Sequence, residues 1–141
     1  MKRALFFVFV LLAGTFTAYA QSTSLFILFP ANSADLTSIE TEQAIENTKV
    51  FIEVARILTD NPHQRILIDG HANPVSGTSQ EEDQVLRALS QRRAEIAADF
   101  LRRYYSIDAH RIIIAGAGGM YSSGSDGQLN RRVNFFVIEP R

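Results

Sequence analysis

Leu86-Arg87-Ala88-Leu89-Ser90-Gln91-Arg92-Arg93-Ala94-Glu95-Ile96-Ala97-Ala98-Asp99-Phe100-Leu101-Arg102-Arg103-Tyr104 is the stretch on which the fold turns. Its apolar residues, Leu86, Leu89, Ile96, Ala97, Phe100, Leu101 and Tyr104, recur in steps of three and four, which predicts an amphipathic helix over 86–104. The stripe runs through position 93, where an arginine stands in place of an aliphatic residue. Arg92, Arg102 and Arg103 fall on other faces, where water can solvate them. A guanidinium turned toward a core is costly unless an anion or a set of acceptors meets it. Two readings stay open at this point. Arg93 is either a snorkelling or ion-paired structural residue, or a fixed cation waiting for a carboxylate. On the second reading an empty pocket leaves the arginine strained, and its removal should leave the fold intact or steadier.

Outward from this helix the chain alternates. Ser24 to Phe29 (SLFILF) reads as a strand ended by Pro30, and 31–36 as a connector rich in turn and cap formers. Ser38 to Thr59 reads as a helix with Ile45, Ile52, Val54, Ala55 and Leu58 inward, stopped by Asn61-Pro62. Arg65 to Asp69 (RILID) is apolar at three successive positions and predicts an interior strand. A long loop, 70–85, then leads to the Arg93 helix. Arg111 to Ala115 (RIIIA) and Arg132 to Ile138 complete four strands, separated by the Gly/Ser-rich stretch 116–129. Strand–helix–strand–helix–strand–strand implies an α/β two-layer sandwich with both helices on one face.

Composition narrows the function. Met1-Lys2-Arg3, the apolar run Ala4 to Ala13 and Ala18-Tyr19-Ala20 have the layout of a cleavable signal peptide over 1–20. The expected mature chain, 21–141, is one domain of about 120 residues, enough for a single core. Loss of Lys2 and Arg3, the charged residues of the first twenty, takes the formal charge from −1 to −3. That mildly acidic balance argues against nucleic acid as a partner. The sequence contains no cysteine, so an exported chain would have no disulfide framework, which suits a bacterial periplasm. A second apolar span is also missing, so no membrane span is expected in the mature chain.

Three short motifs now come into register. Gly70-His71-Ala72-Asn73, Leu89-Ser90-Gln91-Arg92-Arg93-Ala94 and Asn130-Arg131-Arg132-Val133 stand in the order and on the elements of GHTD, LSxxRA and NRRV. The chain thereby resembles the OmpA C-terminal-like, peptidoglycan-associated domain family, as a divergent member with GHAN in place of GHTD. The resemblance spans about Phe26 to Ile138. It implies a mixed four-stranded sheet of order 1-4-2-3 with strand 4 antiparallel. It also implies non-covalent binding of peptidoglycan through the stem peptide, in the periplasm, at the cell wall or outer membrane. In the family the motif aspartate takes the amine of diaminopimelate and the motif arginine its carboxylate. Those roles fall on Asn73 and Arg93, with His71 framing the site and Arg131 or Arg132 reaching it from the last strand, whose successive residues face opposite ways.

The departures matter as much as the matches. Asn73 lacks the charge that would pair with an ammonium, and a neutral acceptor bonds roughly half as strongly as a charged one. Leu86 replaces an asparagine usual in the family, and the loop after Asn73 reads longer, bringing Glu81, Glu82 and Asp83. These acids could supply the missing anion or simply begin a helix at its positive end. The sequence offers no cysteine nucleophile, no paired metal-ligand spacing and no GxSxG, so a non-catalytic module without cofactor or metal is expected. The alternative is an envelope adaptor whose diaminopimelate pocket is altered or lost and whose loops bind other envelope proteins.

Overall fold

The computed structural model describes residues 25–73, 79–120 and 127–139; the leader expected over 1–20 lies outside them. Four strands, β1 (Leu25–Leu28), β2 (Arg65–Gly70), β3 (Ile112–Gly116) and β4 (Arg132–Ile138), form one sheet of order β1-β4-β2-β3. β4 runs antiparallel to both β1 and β2, while β2 and β3 are parallel. Two helices, α1 (Thr41–Asp60) and α2 (Gln80–Tyr105), complete the α/β sandwich. Ile66, Ile68 and Gly70 of β2 are buried and alternate with half-buried Leu67 and Asp69. Val133 and Phe135 are buried on β4, while Phe136, which alternates with them on the side of Arg132 and Asn134, is exposed. Both helices therefore cover the face of Ile27, Ile66, Ile68, Val133 and Phe135, and neither covers the other face.

The helices depart from the periodicity reading in instructive ways. α2 starts six positions before Leu86, so 80–85 is helix and not loop. Ser79 and Glu82 cap it reciprocally: the Glu82 N–H donates to Ser79 Oγ at 3.3 Å, and the Ser79 N–H donates to Glu82 Oε2 at 2.7 Å. The acidic run Glu81-Glu82-Asp83 is thus the first turn of the helix, at its positive end. The inward face is Ser90, Arg93, Ala94, Ala97, Ala98 and Leu101, rotated from the expected stripe, and Tyr104 lies exposed. On α1 the expected inward residues Ile45 and Ile52 are each 53% exposed. Phe51 and Asn47 take that face instead, with Val54, Ala55 and Leu58.

Asn47 is buried because it serves the backbone of an edge strand. Its Oδ1 accepts the Leu28 N–H at 3.0 Å and its Nδ2 donates to the Leu28 carbonyl at 2.8 Å, as a neighbouring strand would. Two glycines let α2 sit close against the β2–β3 half of the same face. Gly70 and Gly116 are register partners on β2 and β3. A Cβ on Gly70 would lie 1.9 Å from the Ser90 carbonyl oxygen, and one on Gly116 would lie 2.7 Å from the Gln91 nitrogen. The helix backbone packs directly on the strands here, so Ser90 and Arg93 enter at the end of β2.

Candidate functional site

Arg93 is fully enclosed, with 0% of its surface accessible, and acceptors meet it on three sides. Nε donates to the Ser33 carbonyl at 2.9 Å, Nη1 to the His71 carbonyl at 2.8 Å and Nη2 to the Pro30 carbonyl at 3.0 Å. The guanidinium also stands 5.5 Å from the ring centroid of Phe29. Burial and the nearby Arg131 guanidinium lower its pKa to about 10, which leaves it charged at neutral pH. The side chain that periodicity placed inward therefore ties together the ends of β1 and β2 and the connector between β1 and α1. This reverses the expectation of a strained arginine: without it, three carbonyls lose their donor.

The other motif residues gather around the same end of the sheet. Asn73, two residues beyond the carbonyl that Arg93 binds, is exposed, and its Oδ1 accepts from Nδ2 of buried Asn130 at 3.1 Å. Arg131 follows directly. Its Nε donates to the Phe29 carbonyl at 3.3 Å, and the Phe29 N–H donates to the Arg131 carbonyl at 2.7 Å, so it stands next to the Arg93 staple. Arg132 turns the other way, donating from Nε to Asn134 Oδ1 at 3.2 Å and from Nη1 to the Leu129 carbonyl at 2.7 Å. Strand alternation thus puts Arg131, and not Arg132, beside Arg93.

His71 divides between the two faces. Its carbonyl holds Arg93, but its buried imidazole lies on the sheet face away from the helices, where Nε2 is 3.0 Å from Asp69 Oδ2 and 3.1 Å from Asn134 Nδ2. Its contribution to the arginine end is therefore made by the backbone. Burial pushes the imidazole below the ordinary histidine value; Asp69 pulls it back up and Arg132 adds to the depression. Ser90, of the LSxxRA motif, donates to the Arg87 carbonyl at 2.8 Å and accepts the Gly118 N–H at 2.9 Å, fixing the glycine-rich stretch after β3 to α2. The acids of the first α2 turn do not pair with Arg93 or Arg131: Glu82 caps the helix and Asp83 pairs with Arg87 at 3.0 Å.

Sequence reasoning did not assign roles to Asn130, Ser33 or Pro30. Asn130 carried a signal, as the first residue of its motif; the two carbonyls carried none, because any residue type supplies one. Among solved structures, the chain is similar to the peptidoglycan-associated lipoprotein of Burkholderia pseudomallei. Identity is 21%, the match covers 80% of this chain and 89% of that one, and the TM-score is 0.61. An outer membrane protein of Borrelia burgdorferi is similar at 24% identity over 82% of this chain and 87% of that one, with a TM-score of 0.59. The C-terminal domain of Helicobacter pylori MotB is similar at 16% identity, 80% and 83% coverage and a TM-score of 0.57. At these identities the likeness is one of fold. A comparison with curated proteins gave no match. The sequence matches the OmpA family over residues 28–134, from β1 into β4, and the chain belongs to that family.

Proposed function

We propose that this protein is a non-catalytic periplasmic module that binds peptidoglycan non-covalently through the stem peptide, linking to or organising the cell envelope. Membership of the OmpA family, with Asn73, Arg93 and Arg131 converging at one end of the sheet, is the observation that carries this reading. The Burkholderia neighbour is by name a peptidoglycan-associated lipoprotein, which agrees with it. Arg93 sets the shape of the site and its positive potential, His71 contributes a carbonyl, and Arg131 and Asn73 offer polar groups to a ligand.

One observation favours a second reading, an envelope adaptor with an altered or lost pocket. Arg93 is enclosed and satisfied by carbonyls of its own chain, so it has little left to offer a ligand directly. Co-sedimentation of the purified protein with isolated sacculi separates the two. Retention that falls when soluble stem peptide is added, and that Arg131→Ala abolishes, is expected for the wall module. Free passage of the folded protein past sacculi, with capture of an envelope protein instead, would establish the adaptor.

A further inference from the structure

We propose that residue 73 presents hydrogen-bond donors to the ligand, so that the site selects stem peptides by a carboxylate and gains nothing from a neighbouring ammonium. The inference rests on the wall-binding reading and names what that site reads. An asparagine has one acceptor and two donor hydrogens to offer. Here the acceptor is engaged, because Asn73 Oδ1 takes the hydrogen bond from Asn130. Among the described residues Asn73 Nδ2 has no hydrogen-bond partner, and the side chain is exposed, with Gly127 beside the amide nitrogen. Arg131 adds more of the same sign: Nε holds the Phe29 carbonyl, while Nη1 and Nη2 make no hydrogen bond or ion pair among the described residues. Arg93 stands close enough for the two guanidinium groups to repel.

The end of the sheet therefore offers an exposed amide donor, a guanidinium fork with free hydrogens and a buried second cation. No carboxylate among the described residues pairs with either arginine. Such a surface suits a carboxylate, which accepts bidentate bonds from a guanidinium and a further bond from an amide. An ammonium finds donors facing donors and cations nearby. An aspartate at position 73 would reverse that local sign, and this asparagine does more than weaken it, because its oxygen is turned away. Asn130 is the positioning residue that decides which end of the Asn73 amide faces out.

The test uses calorimetry with three stem tripeptides that differ only in the third residue: diaminopimelate, 2-aminopimelate (carboxylate kept, distal ammonium removed) and lysine (ammonium kept, distal carboxylate removed). The aminopimelate peptide is expected to bind within about threefold of the diaminopimelate peptide or tighter, and the lysine peptide about tenfold weaker or worse. Asn130→Asp makes the partner acceptor-only, so Asn73 must donate inward and show its oxygen; preference should swing toward diaminopimelate, as it should in Asn73→Asp. Wild-type preference for diaminopimelate over aminopimelate beyond about tenfold, or lysine binding equal to the others, would overturn the proposal. Retention on sacculi with such a ranking sinks this inference alone. Failure to bind sacculi and all three peptides sinks the wall-binding reading as well.

Discussion

Replacing Arg93 with alanine removes the donor to three carbonyls from two segments of the chain, Pro30 and Ser33 in the turn after β1 and His71 after β2. Each buried carbonyl left without a partner costs about 1–3 kcal/mol, against which the lost desolvation of one guanidinium is a partial return. The expected net loss is about 2–5 kcal/mol in urea denaturation, with Arg93→Lys intermediate because one ammonium cannot reach three diverging oxygens. An alanine variant as stable as wild type would mean that water satisfies those carbonyls and that the arginine is held for a ligand alone. His71 gives a second expectation. Its folded pKa is depressed below 6.5, so on acidification the unfolded chain takes up this proton first. Stability is therefore complete above about pH 6.5 and declines as pH falls toward the folded value. His71→Gln should flatten that part of the profile. An unchanged slope in His71→Gln would assign the pH dependence to other groups.

At the scale of elements, the two ends of the α2 contact should respond very differently. Ser79→Ala removes one half of an exposed capping box, and the expected loss is about 1 kcal/mol. Gly70→Ala inserts a methyl where the Ser90 carbonyl oxygen already stands, 1.9 Å from the new atom. Neither partner is a flexible side chain, so the helix must lift from the strand, and a loss of about 3 kcal/mol or more is expected. Thermal melts of both variants decide this; a mild Gly70→Ala would mean that α2 can slide without losing the Arg93 staple. The start of α2 was legible in the sequence, since Ser79-Gln80-Glu81-Glu82 has the S-x-x-E spacing of a capping box. Hydrophobic periodicity misses it because the first turns are mostly polar and exposed, with no stripe to read. β4, by contrast, runs from Arg132 to Ile138 as alternation implies, because a strand between two neighbours has a regular inside and outside.

For the whole molecule, local pattern was enough for the class of fold: strand and helix periods and turn residues lead to the two-layer sandwich, and the family resemblance carried by three motifs implies the observed order β1-β4-β2-β3. The inward turn of Arg93 also followed from spacing alone, because helical geometry fixes which positions share a face. Assembly decided the rest. Ile45 and Ile52 look like core yet lie exposed, since α1 turns Asn47, Phe51, Val54 and Leu58 to the sheet instead. Asn47 looks like surface yet is buried, since β1 has no neighbour beyond it and its backbone at Leu28 needs partners. The acceptors of Arg93 lie 60, 22 and 63 residues away in sequence. They are backbone carbonyls, which no residue type announces, and only the crossing of chain segments brings them to one point. The sequence by itself therefore determined that a charge points inward and that Asn73 lacks one. The tertiary structure alone decided that the first is held by its own backbone and that Asn130 hydrogen-bonds the oxygen of the second.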